Sequence, residues 1–178
     1  MIQVGILGFS RREGTFSEVG LRSWEESGCE AVEAGLMIGN EHVYTVHRPL
    51  IIRITRYHVQ KTLRDWCDSP YRKSRCQLIL TVGGAGSSKA DIVPEVTRSL
   101  AKFFIPGIPE LLRGAAANAG YAEDAVTRGL AGVRGETLII NMPGHLQGHA
   151  HGAALFAAAR ALAPALPSLL ADIQSRRR

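Results

Sequence analysis

The stretch Thr81-Val82-Gly83-Gly84-Ala85-Gly86-Ser87-Ser88 runs straight out of an apolar segment, Gln77 to Thr81, and places glycines at 83, 84 and 86. Glycine lets the backbone approach an anion closely, and adjacent N–H groups in such a turn form a nest for phosphate. The turn carries neither the Walker pattern nor G-x-G-x-x-G, so by its own pattern it is either an anion cradle or a tight connection. Asn141-Met142-Pro143-Gly144 also follows an apolar run. An asparagine there can read a base or fix a loop. Asp91 stands between the glycine turn and Pro94. Its carboxylate could hold Mg²⁺ against a phosphate, or cap the helix that follows. His145, His149 and His151 come next to the second turn. The pair four apart would share a helix face suited to a transition metal, but no cysteine or acid lies close by in sequence. A polar-cleft role is the simpler expectation for them.

These residues need strands to carry them. Ile2 to Phe9 is mostly apolar and suits a strand buried on both faces,. Leu50 to Thr55, Gln77 to Thr81 and Glu136 to Asn141 read as further strands. Helices are predicted over Ser17–Glu26, His58–Asp68, Pro94–Phe103 and Glu110–Ala117, and from Gly152 to Ile173 with a division at Pro164 and Pro167,. Residues 28–49 and 122–130 give no clear pattern. Trp24 and Trp66 fall on apolar stripes and are expected in the core. The Ala-rich stretch from Ala153 to Ala165 would allow close helix packing, within the chain or between subunits. Strands alternating with helices predict an α/β fold, a three-layer sandwich around a mostly parallel sheet. In such sheets ligands bind beyond the carboxyl ends of the strands, where both turns lie.

The chain has 178 residues, 46% hydrophobic and 21% charged, with a net charge of +5. That is one domain's worth of ordinary globular composition, with a basic tail at 174–178. It excludes a disordered protein and a coiled-coil rod. No apolar run approaches the ~20 residues that span a bilayer, and the start lacks a basic n-region, so no membrane role and a cytoplasmic location are expected. Arg72, Lys73 and Arg75 form one basic cluster and Arg176 to Arg178 another. Aromatic interleaving is missing from both, which argues against nucleic acid as a partner. Cys29, Cys67 and Cys76 have no C-x-x-C spacing and are expected to be reduced thiols.

The block TVGGAGSSKADIVPEVT resembles the TTGGTG-x-x-x-R-D-x-T-P-E-A-T signature of molybdopterin-binding proteins of the MogA/MoaB type, which include the G domain of gephyrin. Thr127-Arg128 followed by AGVRGETLIINMPG resembles the same family's S-R-x-x-x-G-x-R-G-x-T-L-I-I-N-L-P-G. VGILGFS resembles its first strand, and LRDWCD with QLILT resembles the helix and strand before the glycine loop. The order agrees from Val4 to about Ile173, with an extra stretch within 28–49. The resemblance implies a molybdenum cofactor biosynthesis protein that binds molybdopterin and transfers AMP to it from Mg-ATP. It also implies a homotrimer and a partner protein for molybdate insertion. By resemblance, Gly83, Gly84, Ala85 and Gly86, with Ser10 and Ser88, would cradle phosphates. Asp91 would be the catalytic and metal-supporting carboxylate. Thr127 and Arg128 would lie near the pterin phosphate, and Asn141, Pro143 and Gly144 would shape the nucleotide side.

Several departures fall at the chemistry. Val82 and Ala85 replace threonines, Ala90 replaces an arginine, and Val93 replaces a threonine suited to capping a helix,. Arg11 stands where the family has an aspartate, and no acid occurs at Ile54 to Arg56, where another is usual. Two expectations follow: an adenylyltransferase with a drifted site, or a non-catalytic relative that binds pterin or nucleotide or serves as an oligomeric partner.

Overall fold

The computed structural model describes residues 1–10, 24–47, 49–71, 75–143 and 151–175. The strands are β1 (Ile2–Ser10), β2 (Tyr44–Val46), β3 (Leu50–Arg53), β4 (Leu78–Val82), β5 (Phe103–Phe104), β6 (Ala131–Arg134) and β7 (Thr137–Asn141). They form one sheet in the order β2-β1-β4-β7-β6-β5, and β3 continues the β2 edge along the far half of β1. β1, β2, β3, β4 and β7 run parallel, β6 runs antiparallel to β7, and β5 pairs antiparallel with β6.

Period-two alternation in the central strands feeds two cores. Val4 and Ile6 of β1, Leu78 and Leu80 of β4, and Leu138 and Ile140 of β7 face one of them. That side is covered by α1 (Trp24–Met37), α4 (Gly107–Asn118), α6 (His151–Leu162) and α7 (Leu166–Ser175). Leu7, Phe9, Ile79 and Ile139 face the other, covered by α2 (Arg56–Asp68) and α3 (Val93–Leu100). A short α5 (Ala122–Ala125) lies beside α4. This is the expected three-layer α/β sandwich with a mostly parallel sheet.

Several boundaries differ from the sequence-based expectation. The first described helix begins at Trp24 and continues to Met37, so the unassigned stretch from 28 supplies core residues Cys29, Val32 and Leu36. The same stretch then supplies β2, where Tyr44 is buried and donates its hydroxyl to Ala163 O at 2.8 Å. α3 stops at Leu100 rather than reaching Phe103, because Phe103 and Phe104 pair with β6. β6 itself had no clear signal: it is four residues long and contains Gly132, whose Cβ would come within 2.6 Å of Ala101. Pro94 does lie in the first turn of α3. The cap is Ile92, which makes no side-chain capping bond, and Val93 is already helical.

Trp66 is half-buried and rests on Gly5, where a Cβ would meet its ring at 2.6 Å. The Trp24 side chain falls outside the described residues. All three cysteines are buried and none forms a disulfide. Burial pushes the Cys67 thiol up to about 12 and the Cys76 thiol up to about 11, which suits inert core groups,. Arg75 turns back onto its own loop, donating to Ser69 O at 2.9 Å and pairing with Glu136 at 3.4 Å. Arg72, Lys73 and Arg176 to Arg178 lie outside the described residues. No single described helix is long and apolar enough to cross a membrane.

The Ala-rich helix packs within the chain. α6 lies across α1 at Gly35, where a Cβ would come within 2.5 Å of Phe156 O and 3.0 Å of Ala159 Cβ. Two helices approach this closely only where a small residue lets the backbones meet. Gly35→Ala should therefore destabilise the protein by about 1–3 kcal/mol through overpacking, even though alanine favours an exposed helix by about 1 kcal/mol. Urea unfolding measures it, and a net gain in stability would show that α1 and α6 separate at no cost.

Candidate functional site

β4 and β7 pair in register to Thr81 and Asn141, and β1 flanks β4. Their carboxyl ends come together, so the glycine turn and the Asn141-Met142-Pro143 turn are neighbours. Met142 N donates to Thr81 O at 2.9 Å across the junction. Gly83 and Gly84 adopt φ of 90° and 69°, a region that favours glycine. Gly84 also lacks room: a Cβ would meet Val93 Cγ2 at 2.6 Å and Ile54 Cδ1 at 2.7 Å.

The loop's hydrogen bonds are one-sided. Gly84 O accepts from Val93 N at 3.1 Å, Ala85 O from Arg128 N at 2.9 Å and Ser88 O from Asp91 N at 2.9 Å. Gly86 O accepts from Arg128 Nε at 2.8 Å. Among the described residues, the N–H groups of Gly84, Ala85, Gly86 and Ser87 meet no acceptor. The carbonyls of Gly84, Ala85, Gly86 and Ser88 are held by the protein, and the N–H groups from Gly84 to Ser87 stay open. Backbone amides so arranged attract an anion. Gly83 to Gly86 are buried and Ser87 to Ala90 exposed, so the cradle opens at its outer end.

Asp91 is buried and closes the loop on itself: its Oδ2 accepts from Ser88 N at 3.0 Å. The carboxylate thus holds the loop's return rather than capping α3. Ser88 Oγ receives Ala90 N at 3.3 Å. Arg128 donates to Asp91 O and pairs with Glu95. Burial works to raise the Glu95 carboxyl. The hydrogen bond from Arg128 and the charges of Arg128 and Arg56 outweigh it and hold the group below its ordinary value. Thr127 is half-buried beside Arg128.

Asn141 is 2% exposed and its side chain makes three hydrogen bonds within the protein. Nδ2 donates to Thr81 Oγ1 at 3.1 Å and to Thr97 Oγ1 at 2.9 Å, and Oδ1 accepts Leu130 N at 3.1 Å. Of the two roles open to it, the structure supports fixing a loop. It ties β7 to β4, α3 and the segment entering β6. Pro143 is buried next to it. Ser10 ends β1 opposite Arg53 of β3. Gly144, His145 and His149 lie outside the described residues, as does the side chain of His151, which opens α6.

The structure therefore brings Gly83 to Ser88, Asp91, Arg128 and Asn141 into one network. Glu95, Thr81 and Thr97 belong to it and were not singled out from the sequence. Glu95 sits in the P-E pair of the glycine block, which was its only signal. Ile54 and Arg56 lie at the same end of the sheet, and the acid expected near them is absent. Among the described residues no group of three histidine, cysteine or acidic side chains could hold a metal ion by itself.

A doubly covered, mostly parallel sheet with an amide-lined turn at its carboxyl edge defines an α/β protein, and that edge is where such sheets bind ligands. Residues 38–166 match the family model described as "Probable molybdopterin binding domain". The chain belongs to this MogA/MoaB-type family of molybdenum cofactor biosynthesis. It is 36% identical over 95 residues to a molybdopterin adenylyltransferase of Helicobacter pylori, covering 53% of this chain and 51% of that protein. It is 37% identical over 87 residues to the molybdenum cofactor synthesis protein cinnamon of Drosophila melanogaster, covering 48% of this chain and 14% of that protein. The chain thus spans about half the length, or less, of these curated relatives. The crystal structure of the molybdopterin biosynthesis enzyme MoaB from Thermus thermophilus superposes with a TM-score of 0.74 at 31% identity, covering 98% of each chain. A molybdopterin biosynthesis protein from Mycobacterium abscessus shares the fold, with a TM-score of 0.75 at 22% identity over 99% of this chain and 98% of that one.

Asn141→Ala should cost about 1–3 kcal/mol, because it strands the Leu130 N–H and takes the donor from the buried Thr97 hydroxyl, while Thr81 keeps its bond to Ile140 O,. Denaturant unfolding reads the loss, and a change below about 0.5 kcal/mol, the size typical of a surface substitution, would contradict this role for Asn141.

Proposed function

We propose that the chain is a molybdopterin adenylyltransferase that transfers AMP from Mg-ATP to the terminal phosphate of molybdopterin. The observation that carries this reading is the loop from Gly84 to Ser87, with the carbonyls of Gly84, Ala85 and Gly86 satisfied and its N–H groups open at the carboxyl end of β4. An oxygen of the pterin phosphate attacks the α-phosphorus of ATP. A new P–O bond forms, the bond from the α-phosphorus to the bridging oxygen breaks, and pyrophosphate leaves. Such a transfer needs alignment and charge neutralisation more than covalent participation by the protein.

The open amides would hold a phosphoryl group in line and stabilise charge on its oxygens. The buried Asp91, fixed by Ser88 N, is the carboxylate on the loop that would meet the magnesium of Mg-ATP. One carboxylate together with substrate phosphates and water is an adequate set for that ion. Magnesium would neutralise the triphosphate. Thr127 would border the pterin phosphate, Ser10 would help hold a phosphate, and Pro143 and Gly144 would shape the nucleotide side. A homotrimer and a molybdate-insertion partner belong to the same proposal.

One observation favours a second reading, that of a non-catalytic relative that binds pterin or nucleotide. Asp91 already serves the loop, and Arg56 with its cationic side chain stands where a second acid would help a metal. Purified protein incubated with molybdopterin and Mg-ATP separates the two. Adenylylated pterin and pyrophosphate should form in equal amounts, and Asp91→Ala should lower the rate by about 100-fold, the scale of one lost electrostatic group. Pterin binding without product would instead establish the binding protein.

A further inference from the structure

We propose that Arg128 is a positioning residue for the anion cradle and not a ligand of the anion, with Glu95 as the anchor that keeps it there; this rests on the phosphate-site reading above. A guanidinium carries five N–H donors in a rigid fork and can bridge several acceptors at once. Arg128 uses that fork along the loop. Nε reaches Gly86 O at 2.8 Å, one terminal nitrogen reaches Asp91 O, and the other pairs with Glu95. Its backbone N–H takes Ala85 O at 2.9 Å. One residue from outside the loop thus gathers three of its carbonyls, at 85, 86 and 91.

The consequence for the amides is geometric. In a peptide unit the C=O and the following N–H point in opposite directions. Drawing Ala85 O and Gly86 O toward Arg128 turns the N–H groups of Gly86 and Ser87 the other way. Those are two of the amides that meet no acceptor among the described residues. It also removes carbonyl dipoles that would repel a phosphate. Glu95 lies on α3, whose first residue is tied to Gly84 O, so the anchor and the loop share one support. Three of the five donors are committed to a carboxylate and two carbonyls, so the guanidinium is fixed by the protein rather than free to turn toward a phosphate,.

Electrostatics and positioning predict opposite signs for one variant. Glu95→Gln removes a negative charge beside an anion site and loosens Arg128. If Arg128 met the anion directly, its release and the lost repulsion would tighten binding. If Arg128 positions the loop, losing its anchor weakens binding. Pyrophosphate and Mg-ATP serve as probes by calorimetry on the full chain, with circular dichroism confirming that each variant folds. Glu95→Gln should weaken both probes by about tenfold, the scale of one charged hydrogen bond. Arg128→Lys keeps the charge but cannot bridge, so it should lose as much as Arg128→Met. Tighter binding by Glu95→Gln, or Arg128→Lys within about threefold of the wild type when one charged hydrogen bond is worth more, would overturn the proposal. If the wild type binds neither probe, the phosphate-site reading itself fails. The positioning claim is then read in the free protein: faster amide exchange at residues 84–91 in Arg128→Lys supports it, and unchanged exchange refutes it.

Discussion

Gly84 meets two demands at once. Its φ is positive, and Val93 and Ile54 occupy the space a side chain would need. Because those two residues open α3 and follow β3, this contact sets the height of the loop against the second core. From it follow the bond between Gly84 O and Val93 N, the return of the loop at Asp91, and the direction of the amides between them. A larger residue at 84 would have to move α3 as well as the loop. The site is therefore built on the packing of the sheet's α2/α3 face rather than added to its rim.

The second support comes from the sheet's other central strand. Asn141 is buried and spends both Nδ2 protons and its Oδ1 on protein groups. It joins Thr81, at the start of the glycine turn, to Thr97 on α3 and to Leu130, two residues after Arg128. The loop, the helix behind it and the arginine that gathers its carbonyls are thus held by one polar network. Buried networks of this kind are stable only when complete, which explains why the residue types at these positions are so narrowly suited to their places.

Much of this was legible in the residues. The glycines at 83, 84 and 86, the apolar strands before each turn and the P-E pair at Pro94 gave the layer architecture and the location of the site. Two kinds of feature were not. β5 and β6 are two and four residues long, and their identity comes from pairing with each other and with β7, not from local pattern,. Residues 28–37 carry no sharp helical stripe because α1 is covered by the sheet below and by α6 across Gly35. At the site, sequence could place Asn141 and Arg128 near the loop but could not choose between ligand contact and support. That choice depends on which acceptors each side chain reaches in space.

The replacements at 82, 85, 90 and 93 acquire a physical meaning in this light. Val93 packs on Gly84, and Val82 and Ala85 are buried, so at these three positions apolar contact stands in place of hydroxyl groups, while Ala90 is exposed and the amide face persists. What remains for an anion is mostly backbone. The most direct measurement is amide-resolved NMR of the protein titrated with pyrophosphate. The account predicts that the Gly84, Ala85, Gly86 and Ser87 N–H resonances shift together and saturate with one affinity. Shifts confined to arginine side chains, with these four amides unmoved, would contradict it.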